Sequence, residues 1–254
     1  YSISNPITYI PITVGIISLI LFTIRQFKVN SPLLNLRVLK SKQLVISVII
    51  LIILYASFTS ATMILSLYIQ STRKMSAMIP GLVMLPGSIL MSLLSPISGR
   101  ILDKHGVRIL AISGFVCLAI GTFSFSNLSE TTSILMLTIM YSFRMLGITL
   151  LLMPITTWGL NSLKSSEIAD GSAISSTLRQ VAGAIGSSVF ISIMTSVTKH
   201  SLSNSKVISD IAGMDAAFRS ATILVLIGLV ISLIYVKDKK IKSKKVDNEN
   251  LILE

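Results

Sequence analysis

The residues of this sequence that could do chemistry include a short charged segment between two long apolar runs. Its one carboxylate, Asp103, lies between cations and glycines. In chain order the residues are Gly99, Arg100, Asp103, Gly106 and Arg108. Glycine lets a backbone turn sharply, and a helix that starts near Gly106 would present its positive end to Asp103. The pattern therefore predicts that ionic contacts at this turn hold two helices together, as a latch, and that the helices can move when these charges separate.

A second candidate is Arg144, which lies near the centre of an otherwise uncharged run over residues 132–155. At about 1.5 Å per residue, this position is about halfway through a bilayer. A cation there costs about 2.5 to 3.5 kcal/mol, so it should face a wet cavity or a partner inside a helix bundle. We predict a polar pathway for a substrate or a coupled ion, lined by Arg144, Tyr141, Gly147, Thr149 and Pro154. The alternative is a purely structural arginine.

A third group consists of small residues at Gly183, Gly186 and Ser187, in the apolar run over 181–197. Small side chains let two helices approach closely, so we predict that these residues pack against a neighbouring helix. Arg179 lies just before this run. We expect it at the cytoplasmic mouth, as a structural anchor.

Several other kinds of chemistry are not indicated. Cys117 is the single cysteine, and two histidines, His105 and His200, are too few and too far apart for a metal cluster. The formal net charge of +12 would suit nucleic acid, but the cations are confined to short gaps between apolar runs. We expect no enzyme, no catalytic residue, no metal, no cofactor and no nucleic-acid partner.

The elements that must position the candidate residues are membrane-spanning helices. Of the 254 residues, 52% are hydrophobic and 13% are charged, and the mean hydropathy is +0.83. These values are typical of an integral membrane protein. Runs of about 16 to 25 residues that carry no charge apart from Arg144 predict an all-α protein with about seven transmembrane helices. The runs cover residues 7–24, 44–68, 79–98, 109–126, 132–155, 181–197 and 221–236.

The Lys and Arg residues between these runs predict the orientation. Most fall in alternate gaps, among them the gap that holds Asp103 and the tail over 237–254. By the positive-inside rule, the C terminus and the Asp103 segment are cytoplasmic and the N terminus is outside. We expect a multi-pass protein of the cell membrane, with a basic cytoplasmic linker over 25–43 that lies against the lipid bilayer.

No Asp or Glu falls within the seven predicted runs. A proton-coupled carrier needs a carboxylate or a histidine that titrates inside the membrane. We therefore expect the coupling group on polypeptide that precedes Tyr1, or else a chain that moves nothing by itself.

Four stretches together resemble the fourteen-helix drug:proton antiporters of the major facilitator superfamily. The segment from Gly99 to Arg108, G-x-x-x-D-x-x-G-x-R, is similar to the family's signature loop, and SPLLNLRVLK from Ser31 resembles its linker, with Asn35 in place of the usual acid. Two further stretches resemble an R-x-x-G helix and a later R-Q-x-G-G-A motif. They are RMLGITLLLMP from Arg144 and GSAISSTLRQVAGAIG from Gly171.

The resemblance implies that the seven runs are the eighth to fourteenth helices of the family. Residues 1–24 would form a helix that precedes the bundle, and residues 44–236 would form the C-terminal six-helix bundle. It also implies alternating access, in which two bundles rock around a central site and expel amphipathic or cationic drugs in exchange for protons. The chain would then be the C-terminal half of a multidrug exporter, inactive without its N-terminal half.

Two alternatives stay open on the sequence alone. A transporter of the same architecture could carry another small solute, because adaptable apolar pockets leave no motif. A complete seven-helix receptor or sensor would match the topology, but it would leave the pattern from Gly99 to Arg108 unexplained.

Overall fold

The protein is described by a computed structural model that covers residues 35–201 and 205–238, together with Thr13, Val14, Gly15, Ile17, Ser18, Leu21, Ile24 and Arg25. Within these residues the chain is helical, which confirms the predicted all-α membrane class. Six helices are long and apolar enough to cross a membrane. They are α1 (Lys42–Leu67), α2 (Met78–His105), α3 (Val107–Ser124), α4 (Ile134–Leu160), α5 (Ile168–His200) and α6 (Lys206–Tyr235).

Three predicted segments fall largely or partly outside the described residues. The predicted helix over 7–24 and the tail over 237–254 lie mostly beyond them, and the linker over 25–43 is described only in part. Its described end forms a short 3-10 helix, Leu36–Lys40, in which the Asn35 side chain accepts a hydrogen bond from the backbone N–H of Arg37.

The helices begin and end at residues that satisfy or turn the backbone. Ser41 and Ser133 each accept a hydrogen bond from a backbone N–H in the first turn, of α1 and α4 respectively. Between α2 and α3 the chain turns at Gly106, whose φ is +81°. Only glycine adopts such a φ readily, so the two helices can follow one another with a single residue between them.

The last two helices are longer than the predicted runs. Helix α5 begins at Ile168 rather than at residue 181, and α6 begins at Lys206 rather than at residue 221. A charge-free run stops at any charged residue, whereas a real helix keeps charges in its outer turns or pairs them with polar neighbours. Asp210 and Asp215 therefore lie on α6, and the prediction that no acid falls on a spanning helix is wrong.

Helices α1 and α4 lie at the centre of the bundle. Helix α4 packs against α1, α2 and α3, while α1 packs against α4, α5 and α6. Helices α2 and α5 lie at the two edges and are the least covered, with 17% and 22% of their apolar windows buried. The core thus lies between α2 and α5, each of which has a face that the other described residues do not cover. A ligand or a second helix bundle would approach at one of these two faces.

Candidate functional site

The turn between α2 and α3 carries a carboxylate at the first turn of α3, but it is Asp238 and not Asp103. The Oδ1 atom of Asp238 accepts a hydrogen bond of 3.1 Å from the backbone N–H of Arg108. A Cβ on Gly106 would overlap this carboxylate, so glycine is required there for space as well as for its φ. Asp103 lies exposed on the last turn of α2.

The two carboxylates line one polar cavity of about 270 Å³ at this end of the bundle. Gln43, Thr157 and Asn161 line it as well. The Gln43 Nε2 atom donates a hydrogen bond of 2.6 Å to the backbone carbonyl of Trp158, which joins the start of α1 to the end of α4. The cavity thus brings together four helices and the residues that follow α6. Three other predicted latch residues do not line it: Gly99 is half-buried, and Arg100 and Arg108 are exposed.

Arg144 is fully buried where α1, α3 and α4 meet. Its Nε donates to Thr122 Oγ1 at 3.2 Å, and its Nη2 donates to the Ser57 carbonyl at 2.7 Å and to Ser57 Oγ at 3.2 Å. Gly121 makes this possible, because a Cβ there would lie 2.9 Å from the Arg144 Cα. The Nη1 atom is buried and has no hydrogen-bond partner among the described residues. The guanidinium therefore joins three helices and is closed to any ligand in this conformation.

The other predicted pathway residues of α4 point to different neighbours. Tyr141, 4% exposed, packs against Gly87 of α2, and Gly147 packs against the backbone of Gly114 and Leu118 in α3. Thr149 is buried and donates to the carbonyl of Met145 in its own helix, and Pro154 is also buried. The five residues do not form one open surface.

The predicted small residues of α5 lie against α1. Gly183 faces Thr59, whose hydroxyl donates to the Gly183 carbonyl at 2.9 Å, and Gly186 faces the backbone of Ala56. Ser187 donates to the same Gly183 carbonyl from within α5. These contacts bring the backbones of α1 and α5 close together near the middle of both helices.

Arg179 lies on α5 beside this contact, about 16 Å from the start of the helix. Because α5 has 33 residues and a length of about 50 Å, it extends beyond the roughly 30 Å hydrocarbon core of a bilayer, so the position of Arg179 at the cytoplasmic mouth stays a prediction. Its guanidinium carbon lies 5.0 Å from the centroid of the Tyr55 ring, and the Tyr55 and Phe58 rings meet edge to face at 6.0 Å. We call these three residues, Tyr55, Phe58 and Arg179, the Arg179 platform. All three are partly exposed.

Sequence reasoning missed the Arg179 platform because it ended the helix at the first charge. The signal was present in the run of small and polar residues before Arg179, from Gly171 to Ser176, which continues the helix. The aromatic partners lie more than a hundred residues earlier, and no local pattern relates them to Arg179.

An apolar cleft of about 520 Å³ lies between α1, α5 and α6. Ala56, Ala182 and Gly186 form its floor, and the exposed side chains of Ile185 and Ile223 form its walls. Ala56 follows Tyr55 directly, so the cleft and the Arg179 platform are about 100° apart around α1.

The opposite end of the bundle is fixed by the segment between α3 and α4. Asp215 of α6 accepts a hydrogen bond of 3.2 Å from the Leu128 backbone N–H. Tyr68 donates to the Ser129 carbonyl at 2.5 Å, and Arg73 donates to the Thr132 carbonyl at 2.5 Å. Charged side chains thus bond to the backbone at both ends of the bundle: Asp238 at one end, and Asp215 and Arg73 at the other.

Comparison with known proteins relates the chain to one family of membrane transporters. The sequence profile of the Major Facilitator Superfamily matches residues 7–187. The chain is 35% identical to an uncharacterized MFS-type transporter, YcnB, of Bacillus subtilis, over 91% of this chain and 49% of YcnB. It is 37% identical to the lincomycin resistance protein LmrB of the same organism, over 89% of this chain and 49% of LmrB.

A more distant relative is the probable multidrug resistance protein EmrY of Escherichia coli, which is 26% identical over 86% of this chain and 43% of EmrY. The chain spans about half the length of the curated relatives that it matches. The matched profile covers most of the six-helix bundle described above, including the Asp103 turn, Arg144 and the Arg179 platform. This chain therefore belongs to the Major Facilitator Superfamily.

Proposed function

We propose that this chain is the C-terminal half of an exporter that expels amphipathic or cationic drugs through the cell membrane in exchange for protons. Two of the relatives above are named as resistance proteins, which supports drug export. The chain's match to half of their length supports the assignment of one bundle out of two. The alternative within the same family is a transporter of another small solute.

The observation that carries the proposal is the polar, uncovered face of α5. Thr177, Gln180, Ser188, Ser192 and Thr195 are all exposed on a helix that is apolar enough to span a membrane. The four hydroxyls donate to carbonyls of α5 itself, which lets them face lipid at little cost, whereas the exposed Gln180 amide favours water or protein opposite this face. A central cavity closed by a second bundle would supply both.

The proposal includes an orientation and a division of labour. The cavity lined by Asp103 and Asp238 would face the cytoplasm, and the segment that Asp215 anchors would face outside. The N-terminal bundle would supply the proton-titrating acid, and this bundle would supply the second wall of the cavity. Arg144 would act by holding α1, α3 and α4 together while the bundle rocks as one body.

Transport by the full-length protein and by this chain tests the proposal. Both would be purified into proteoliposomes that contain a pH-sensitive dye, with an imposed proton gradient. Addition of a drug should change the internal pH at a rate that depends on the full-length protein, and this chain alone should give the rate of empty vesicles. Drug movement without a pH change would contradict antiport, and no movement of any drug in a broad panel would contradict drug export.

A further inference from the structure

We infer that the Arg179 platform is a substrate-recognition site for planar aromatic molecules that carry a carboxylate or another anionic oxygen. The inference rests on the proposed function of drug export and names the substrate class that this bundle selects. The sequence predicts that Arg144 lines the substrate pathway and that Arg179 is a structural anchor. The inference exchanges these two roles, because Arg179 and not Arg144 is the cation that a ligand can reach.

The first argument is accessibility. Arg144 is fully buried and donates three hydrogen bonds within the bundle. Arg179 is partly exposed, as are Tyr55 and Phe58 beneath and beside it. An arginine that faced lipid would be costly, so the platform is expected to face the water-filled cavity of the proposed transporter.

The second argument is unused hydrogen-bonding capacity. A guanidinium has five N–H donors in a planar fork. Within the described residues, Arg179 donates from Nη2 to Ser176 Oγ at 3.0 Å, while its Nε is buried without a partner. No carboxylate of the described residues forms an ion pair with it. Because Nε is buried, a ligand oxygen would bond at the Nη atoms, where Nη1 has no partner among the described residues, and would supply the missing negative charge.

The third argument is preorganisation. The Tyr55 ring holds the guanidinium at 5.0 Å, and Phe58 braces that ring from the side. A cation held over an aromatic face loses little further freedom when it binds a carboxylate in a bidentate manner. The guanidinium covers one face of the Tyr55 ring, so the partly exposed Phe58 ring is the surface on which a planar molecule would stack. The combination favours planar anions over planar cations, which the guanidinium repels.

The test uses the full-length transporter in proteoliposomes with two planar dyes of opposite charge, carboxyfluorescein and ethidium. Arg179→Gln should lower kcat/KM for carboxyfluorescein at least tenfold and change it for ethidium by less than twofold. Arg179→Lys should give an intermediate loss, because an ammonium cannot form the bidentate pair. Tyr55→Phe keeps the ring and should match wild type, whereas Tyr55→Leu should resemble Arg179→Gln.

Arg219→Gln is the matched control, because it removes the same charge from an exposed position of α6. Size-exclusion profiles and thermal unfolding would verify that every variant folds. Equal loss of both dyes in Arg179→Gln would overturn the inference in favour of a structural role, and so would no loss of either. Wild-type protein that moves ethidium but not carboxyfluorescein would overturn the inference and leave drug export standing. Wild-type protein that moves neither dye nor any other drug would overturn both.

Discussion

At the scale of single residues, the position of Arg144 along its helix agrees with the sequence prediction, but its surroundings do not. The sequence predicts a cation in the middle of a spanning helix, and the structure has it there, yet wholly enclosed by Ser57, Thr122 and Gly121. The position of a residue along a spanning helix follows from counting residues along the apolar run. Enclosure depends on which helix packs on which face, and one sequence does not contain that information.

Two substitutions of Arg144 separate structure from coupling. Arg144→Ala removes three hydrogen bonds and should destabilise the full-length protein by about 0.6 to 2 kcal/mol for each of them. Arg144→Gln keeps donors but removes the charge, so it should unfold at a temperature closer to wild type. If the charge serves only structure, the pH profile of efflux in Arg144→Gln will match wild type, and a shifted profile would assign Arg144 to coupling.

The turn at Gly106 gives a second prediction at this scale. Gly106→Ala places a Cβ on the Asp238 carboxylate and forces a non-glycine residue to φ +81°, which should cost about 1 to 2 kcal/mol in stability. Gly99→Ala is the matched control, because a Cβ there meets no atom within 4 Å. Thermal unfolding of both variants in detergent checks the difference, and equal unfolding temperatures would contradict the contact.

The two acids near this turn should also differ. Both side chains are exposed, but Asp238 accepts a hydrogen bond from the first turn of α3, where a negative charge is worth about 0.3 to 1 kcal/mol. Asp238→Asn should therefore lower thermal stability more than Asp103→Asn does. If Asp103 acts as a latch only in another conformation of the transporter, Asp103→Asn will slow transport without this loss of stability.

At the scale of helices, the close contact between α3 and α4 depends on Gly147. A Cβ there would lie 2.6 Å from the Leu118 nitrogen and 2.8 Å from the Gly114 carbonyl oxygen, both of which are backbone atoms. Gly147→Ala should therefore separate the helices at a cost of about 1 to 3 kcal/mol. Gly81→Ala on α2 has open space and should be neutral or slightly stabilising. Unfolding temperatures of the two variants in the same detergent provide the measurement.

The helices were predictable from the sequence to the extent that apolar runs define them. Each of the six described spans overlaps a predicted run over nearly the whole length of that run, because a bilayer requires about 20 apolar residues in a helix. The starts of α5 and α6 were not predictable by this criterion, since Arg179, Asp215 and Arg219 interrupt the apolar run but not the helix. Contacts such as Asp238 with Arg108 join distant parts of the chain, and no local spacing encodes them.

At the scale of the whole molecule, the orientation can be tested by thiol labelling. Cys117 would first be replaced by Ser, and single cysteines would then be placed at exposed Lys104 and Glu130 in the full-length protein. By the positive-inside rule, position 130 should react with an impermeant maleimide in intact cells, and position 104 should react only after the membrane is opened. The reverse pattern would contradict the proposed orientation.

The bundle as a unit explains why its two edges differ in character. Helix α2 exposes large apolar side chains such as Leu85, Ile89 and Leu93, whereas α5 exposes serine, threonine and glutamine on one face. Lipid suits the first surface better than the second, whose hydroxyls are bonded within α5 but whose Gln180 amide is exposed. The sequence alone contained both compositions, but only the packed bundle shows that the other described residues leave these faces uncovered.

The hydrogen bond that Asp238 accepts sets a practical limit on shortening the polypeptide. A version cut after Tyr235, where α6 ends, would look complete in its helices but would leave the Arg108 amide open. Fluorescent fusions and trimmed versions made for cryo-electron microscopy should therefore join their extra sequence beyond residue 238.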